Sequence, residues 1–279
     1  MKQSILQQAM SPEVLNLSWR RLKIEHTPWS PTVSRDLLQS HLLKYILESR
    51  EQVLDGRYSP QSLRQFPLKK PDGRQRIISA QYLQDKLIQR AVLTVLEPRA
   101  EAMFHDDSYA YRPKRSVDMA MAKVRERIRI GQDWLVDADI TSFFDNIPHR
   151  ILIKILKQFV SDKQAMLLIE KWLKAGAHQS SLLGTRKGIS QGAILSPLFC
   201  NLYLHQFDIA LTRANIPFVR FADDFLLFTN SESNALRAKD FAEQRLNQLG
   251  LELHPLKTCV ARSSPKLVFL GKKLPKPSE

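Results

Sequence analysis

Apolar positions recur at helical spacing along most of this chain and alternate in a few short stretches. Residues 33–54 place Leu37, Leu38, Leu42, Tyr45, Ile46 and Val53 near a 3.6-residue period, which predicts one amphipathic helix ended by Asp55-Gly56. Residues 82–96 put Leu83, Leu87, Ile88, Ala91, Val92 and Val95 on one face, with Pro98 expected at the helix end. Helices are also predicted over 117–130, 149–159, 163–175, 195–211 and 235–249, the last closed by Gly250. The 195–211 stretch is largely apolar and should pack under a sheet. Phe66 and Leu68 lead into Pro71-Asp72-Gly73, and Ile77 and Ile78 lead out, as in a β-hairpin over 65–79. Val219 and Phe221, then Phe225, Leu227 and Phe228, frame two short strands around a tight turn. A final strand is predicted over 267–270, and the Pro-Lys tail from Lys272 is expected to fray. Residues 108–113 and 180–192 read as loops. Residues 1–31 are mixed, and Trp19 and Trp29 either pack against the body or stack on nucleic acid.

The 218–228 hairpin and a second stretch, 134–149, carry paired acids. Asp223 and Asp224 sit at the tip of the 218–228 hairpin, where adjacent carboxylates repel and lose hydration beside apolar strands. A bound divalent cation offsets that cost, although a solvated Asp-Asp turn satisfies the same pattern. Leu135, Asp137 and Asp139 alternate along a β-like run, so the two acids face one side of a strand. An acidic strand end beside an acidic hairpin suits two Mg²⁺ ions and in-line phosphoryl transfer. The 65–79 hairpin crowds Lys69, Lys70, Arg74 and Arg76, which suits either a triphosphate or a solvated basic turn.

Composition narrows the partner. The chain has 279 residues, enough for one large domain or two joined subdomains, and a formal net charge of +14. That balance favours a polyanion, nucleic acid first. Cys200 and Cys259 belong to no CxxC pair, which argues against a zinc site or a disulfide framework. The first ten residues are too polar for a secretory signal, and no apolar run is long enough to span a bilayer. A cytoplasmic protein with no membrane partner is expected.

The two acidic stretches, with Gly188-Ile189-Ser190-Gln191-Gly192-Ala193-Ile194-Leu195-Ser196-Pro197-Leu198 between them, resemble bacterial reverse transcriptases of the group II intron type. The resemblance extends upstream to Lys70-Pro71-Asp72-Gly73-Arg74-Gln75-Arg76 and Ser108-Tyr109-Ala110-Tyr111-Arg112-Pro113. Downstream it takes in Leu249-Gly250-Leu251, Lys257-Thr258 and Phe269-Leu270-Gly271. It covers about 58–271 in the family's order. Three departures are mild: Ala110-Tyr111 for Gly-Phe, Ser190 for the commoner proline, and Phe221 for tyrosine before Ala222-Asp223-Asp224.

The resemblance implies an α+β right-hand polymerase with fingers and palm, the palm an antiparallel sheet backed by helices. It divides the chain into a helical leader (1–57), fingers (58–132) and palm (133–279). It implies an RNA-directed DNA polymerase that extends a primer 3′-hydroxyl with dNTPs and releases pyrophosphate. Asp139, Asp223 and Asp224 are then the catalytic acids, and with Ile140 they hold two Mg²⁺ ions, or Mn²⁺. Lys70, Arg76, Phe144, Gln191 and Lys257 are expected at the nucleotide. Arg112 and Gly192 are expected at the RNA template with its DNA primer, or at an RNA–DNA hybrid. Only eight residues follow Gly271, so no thumb is expected from this sequence, nor is an endonuclease or integrase pattern visible. This leaves an intron relic, a stand-alone enzyme gripped through a second protein, or an enzyme of a defence system such as a CRISPR-associated reverse transcriptase with its integrase. Two other functions stay open: template-independent nucleotide addition, and a non-catalytic RNA-binding relic of an intron maturase.

Overall fold

The computed structural model describes residues 3–69, 75–176 and 186–277. In chain order the elements are α1 (Ile5–Ala9), α2 (Pro12–Leu22), α3 (Arg35–Ser40), α4 (Leu42–Leu54), β1 (Arg64–Lys69), β2 (Gln75–Ala80), α5 (Leu83–Glu101) and α6 (Val117–Arg129). There follow β3 (Trp134–Ala138), α7 (Phe143–Asn146), α8 (His149–Phe159), α9 (Lys163–Gly176) and α10 (Ser196–Arg213). The chain ends with β4 (Phe218–Phe221), β5 (Asp224–Thr229), α11 (Glu232–Gln248), β6 (Cys259–Arg262), β7 (Val268–Phe269) and β8 (Lys272–Lys273). These form two compact units, each built from two chain segments.

The first unit holds residues 1–102 and 149–199. Its core is α5, which buries Leu83, Leu87, Ile88, Ala91, Val92 and Leu96 and packs against α1 and α2. The same helix buries the polar side chains Gln84, Asp85 and Gln89, each with a hydrogen-bond partner. The Asp85 carboxylate accepts from the Tyr58 hydroxyl and from the Gln61 amide (3.1 Å), and Trp172 Nε1 donates to the Tyr58 oxygen at 3.1 Å. Gln89 Oε1, and Gln81 Oε1 just before the helix, accept from the Leu195 and Ile194 amides, which fixes the loop after Gly188. Strands β1 and β2 pair antiparallel from Arg64↔Ala80 to Lys69↔Gln75.

Two helix predictions need correction here. The single helix over 33–54 is broken at His41, whose φ of −137° leaves the helical region. The Ser40 hydroxyl turns back to the Asp36 carbonyl at 3.3 Å, and Leu37 is exposed, so the apolar spacing did not mark one continuous buried face. Pro98 does not end α5. It lies in the last turn, where only one amide bond is lost, and the Ala102 N–H still reaches the Pro98 carbonyl at 3.3 Å.

The second unit holds 103–148 and 200–279. Among the described residues it contains a four-stranded sheet in the order β4-β5-β3-β6, with every pair antiparallel. The pleat sorts its side chains. Leu135, Val219, Leu226 and Phe228 share one face and join Ala120, Met121, Val124 and Ile128 of α6 in a core cluster. Phe225 and Arg220, paired across β4–β5, share the other face. There Phe225 meets Phe207 of α10 with ring centroids 5.1 Å apart. Helix α11 packs on β3, β5 and β6 through Ala235, Ala238, Ala242 and Leu246. Over the described residues 272–277 the tail is built into the fold. It forms β8 against β7, and Leu274 is 1% exposed within the α6 cluster. The Leu274 N–H bonds to the Leu267 carbonyl at 3.0 Å and Ser263 Oγ to the Pro275 carbonyl at 2.6 Å.

Candidate active site

Asp139 follows β3 directly. The backbone there continues antiparallel to 252–254: the His254 N–H donates to the Asp139 carbonyl at 2.8 Å and the Thr141 N–H to the Glu252 carbonyl at 2.9 Å, with Ile140 bridging Leu253. The chain then turns over 254–258, the Lys257 N–H bonding to the His254 carbonyl at 3.1 Å. This excursion brings Lys257 Nζ to 2.7 Å from Asp139 Oδ2.

The other acids come from the β4–β5 hairpin. Phe221 pairs with Asp224, which leaves Ala222 and Asp223 as a two-residue turn. Ala222 has φ of 59°, at the first turn position, where a left-handed residue matches the twist of the strands. Asp224 starts β5 two residues before Leu226, which pairs with Asp137, so Asp137 and Asp224 share a face of the sheet. Asp139 directly follows Ala138, which pairs with Phe225, so Asp139 and Asp224 stand opposite each other at the sheet end. Desolvation, then the charges of Asp223 and Asp139, push Asp224 up to about 7, against a smaller opposing pull from Lys257. Burial and then the Asp139 charge push Asp137 up to about 6.

Among the described residues no group of three or more His, Cys, Asp or Glu side chains stands arranged to hold a metal ion. At Asp139 the counter-charge is the Lys257 ammonium. The donors nevertheless suit a hard divalent ion. They are all oxygens, and desolvation together with the Asp223 and Asp139 charges holds the Asp224 proton well above the usual carboxylate range.

Beneath the turn lies a buried group with no counterpart in the sequence reading. Arg220 is 0% exposed. Its Nε and Nη2 hold both Asp208 carboxylate oxygens at 2.7 and 2.6 Å. Nη2 also donates to Ser108 Oγ at 2.8 Å, and Nη1 to Asn201 Oδ1 at 3.2 Å and the Ala222 carbonyl at 3.0 Å. A signal was present: Arg220 stands at an inward position of an apolar strand, and Asp208 is the lone acid of an apolar helix. Each charge needs a partner indoors.

Residues 68–274 match the family described as reverse transcriptase (RNA-dependent DNA polymerase). The chain belongs to the reverse transcriptase family. It is similar to protein YkfC of Escherichia coli (strain K12), 30% identical over 290 residues that span 89% of this chain and 76% of YkfC. It is also similar to the group II intron-encoded protein LtrA of Lactococcus lactis, 37% identical over 180 residues that span 64% of this chain but 29% of LtrA. Among solved structures, a chain of a partial Cas6-RT-Cas1–Cas2 complex shares the fold (TM-score 0.51, 24% identity, 89% of this chain and 42% of that one). Telomerase from Candida albicans shares it too (TM-score 0.57, 13% identity, 88% and 50%).

The remaining residues expected at the site of this reverse transcriptase are placed as follows. Phe144, on α7, is half-buried, edge-on to Phe143 at 5.4 Å, while Phe143 is buried and meets Tyr203. Ile140 is buried beside Asp139. Arg112 is 8% exposed and donates to the His105 and Ser108 carbonyls, both at 2.7 Å, so its described contacts brace its own loop. Gln191 and Gly192 belong to the first unit. There the Gln191 carbonyl accepts from the Ser79 N–H of β2 at 3.1 Å, and Gly192 takes φ of 106°, open to glycine. Lys70 lies outside the described residues, as does the side chain of Arg76, whose backbone is on β2.

Proposed function

We propose that this reverse transcriptase extends a primer 3′-hydroxyl with dNTPs along an RNA template, using Asp139, Asp223 and Asp224. The observation that carries the proposal is the strand register, which sets Asp139 opposite Asp224 at one sheet end, with Asp223 in the adjoining turn. In this reading the four-stranded sheet of the second unit belongs to the palm, and the β1–β2 hairpin to the fingers.

Asp139 and Asp223 are the ligands assigned to two Mg²⁺ ions, with Asp224 and the Ile140 carbonyl beside them. Bound there, the metal supplies an acidified primer hydroxyl and charge neutralisation at the phosphates. Lys257 holds Asp139 in place, and its ammonium is the cation assigned to the departing pyrophosphate. Phe144 offers its open flank to the deoxyribose. Lys70 and Arg76 neutralise the triphosphate, and Gln191 with Gly192 lies against the nucleotide and template. A second protein takes part in gripping the hybrid, a partner motivated by the Cas6-RT-Cas1–Cas2 neighbour, which is a complex.

The test is primer extension by purified protein with Mg²⁺ on matched RNA and DNA templates, beside a reaction without template. RNA-dependent products of template-directed sequence are expected. Equal extension without template would favour an untemplated transferase, and hybrid binding without extension would favour a non-catalytic RNA binder.

A further inference from the structure

The guanidinium of Arg220 has five N–H donors in a rigid fork. Its acceptors come from separate parts of the second unit: Asp208 and Asn201 on α10, Ser108 in the loop before α6, and Ala222 in the acidic turn. The strand around it is locked as well. The Arg220 N–H bonds to the Asp107 carbonyl and the Tyr109 N–H to the Arg220 carbonyl, both at 2.9 Å. Asn201 is itself held, its Nδ2 donating to the Ala110 carbonyl at 2.8 Å. Burial of an ion pair alone is weak grounds for a role, since hydrophobic replacement of such pairs is often neutral. The informative contact is the one to Ala222.

The Ala222 carbonyl and the Asp223 N–H are two ends of one planar peptide. Pinning the carbonyl at 3.0 Å from Arg220 Nη1 therefore fixes the plane from which Asp223 departs. The residue being pinned needs it. Ala222 is held at φ of 59°, a strained conformation for a residue with a Cβ that persists only where surrounding contacts over-determine it. Arg220 also lies within electrostatic reach of Asp223.

We propose that Arg220 is a positioning residue of the reaction: through the Ala222 carbonyl it sets the direction of Asp223, and Asp208, Asn201 and Ser108 set Arg220. The inference rests on the assignment of Asp223 to the metal site. A misplacement of about 1 Å at a reacting group costs on the order of 10²-fold in rate, and loss of a supporting partner typically lowers metal affinity about 10- to 100-fold.

The test compares Arg220→Lys with the intact chain. Lysine keeps the charge against Asp208 but cannot span Asp208, Ser108 and Ala222 at once. Four quantities are read: kcat, KM for dNTP, the Mg²⁺ concentration at half-maximal extension, and the melting temperature. The expected result is a folded protein that binds hybrid normally, with kcat down by about 10²-fold, the Mg²⁺ midpoint raised about 10-fold or more and KM little changed. A folded variant with wild-type kcat and Mg²⁺ midpoint overturns the proposal. So does a kcat that falls only in step with the folded fraction while the Mg²⁺ midpoint stays put, because that is a purely structural role. If Arg220→Lys does not fold, Asn201→Ala and Ser108→Ala carry the decision: a raised Mg²⁺ midpoint in either supports it, and wild-type values in both overturn it. Asp223→Asn runs alongside. Wild-type extension by Asp223→Asn removes the metal assignment itself; an inactive Asp223→Asn beside a fully active Arg220→Lys removes the positioning role alone.

Discussion

Phe143 and Phe144 adjoin in sequence and differ in surroundings. Phe143 is buried against Tyr203, whereas Phe144 keeps an open flank. A ring against the sugar 2′-carbon leaves no room for a 2′-hydroxyl, so discrimination comes from a clash with the wrong substrate. Phe144→Ala is expected to lower the ratio of kcat/KM for dNTP over NTP while the melt stays close to wild type. A loss of roughly 3–5 kcal/mol in stability with both activities falling together would return Phe144 to the core. Asp85 makes a separate prediction. Burial pushes its carboxyl up to about 6 from 3.8, against the lowering bonds from Tyr58 and Gln61. The folded chain thus holds this proton more tightly than the unfolded chain. Its contribution to stability is greatest below about pH 4 and is lost as pH rises through about 6, by on the order of 1–3 kcal/mol. Thermal melts of Asp85→Asn should lack that part of the pH dependence; an unchanged slope would remove Asp85 as its source.

At the scale of elements, the β7–β8 hairpin shows where pattern reading stops. A Pro-Lys tail has the composition of a frayed end, yet Leu274 supplies the last side chain of the α6 cluster. Leu274→Ala is expected to cost roughly 2–5 kcal/mol, measured by denaturant unfolding; a frayed tail would give no change. Helices with a continuous apolar face, such as α8 and α9, and the acidic β4–β5 hairpin were legible from local periodicity, but the turn is Ala222–Asp223 and Asp224 already belongs to β5, one residue off the expected tip. Asp139, Asp223 and Asp224 were legible as acids placed against apolar strands. The ion pair between Lys257 and Asp139 was not, since it depends on an excursion of 254–258 across 118 positions of sequence. Arg220 was missed for the same reason: its partners Ser108, Asn201 and Asp208 are brought together only by the fold.

The whole molecule carries a formal charge of +14, and among the described residues no helix is long and apolar enough to cross a membrane. Binding of an RNA–DNA hybrid should therefore weaken steeply with salt, since release of condensed counterions drives it. A salt titration with a flat response would contradict that. The two units each fold around their own core, α5 in one and the four-stranded sheet in the other, and the proposed chemistry is concentrated in the second. The central claim is that the acids at this sheet end carry out templated synthesis, and Asp223→Asn tests it most directly, because it removes one charge at nearly constant shape. Removing a single electrostatic stabiliser of this kind costs on the order of 10²–10³ in rate. The measurement is extension of a primer on an RNA template by wild type and Asp223→Asn, with hybrid binding measured on the same preparations. Retained binding with extension reduced at least that far is the predicted result; wild-type extension by the variant would contradict the account.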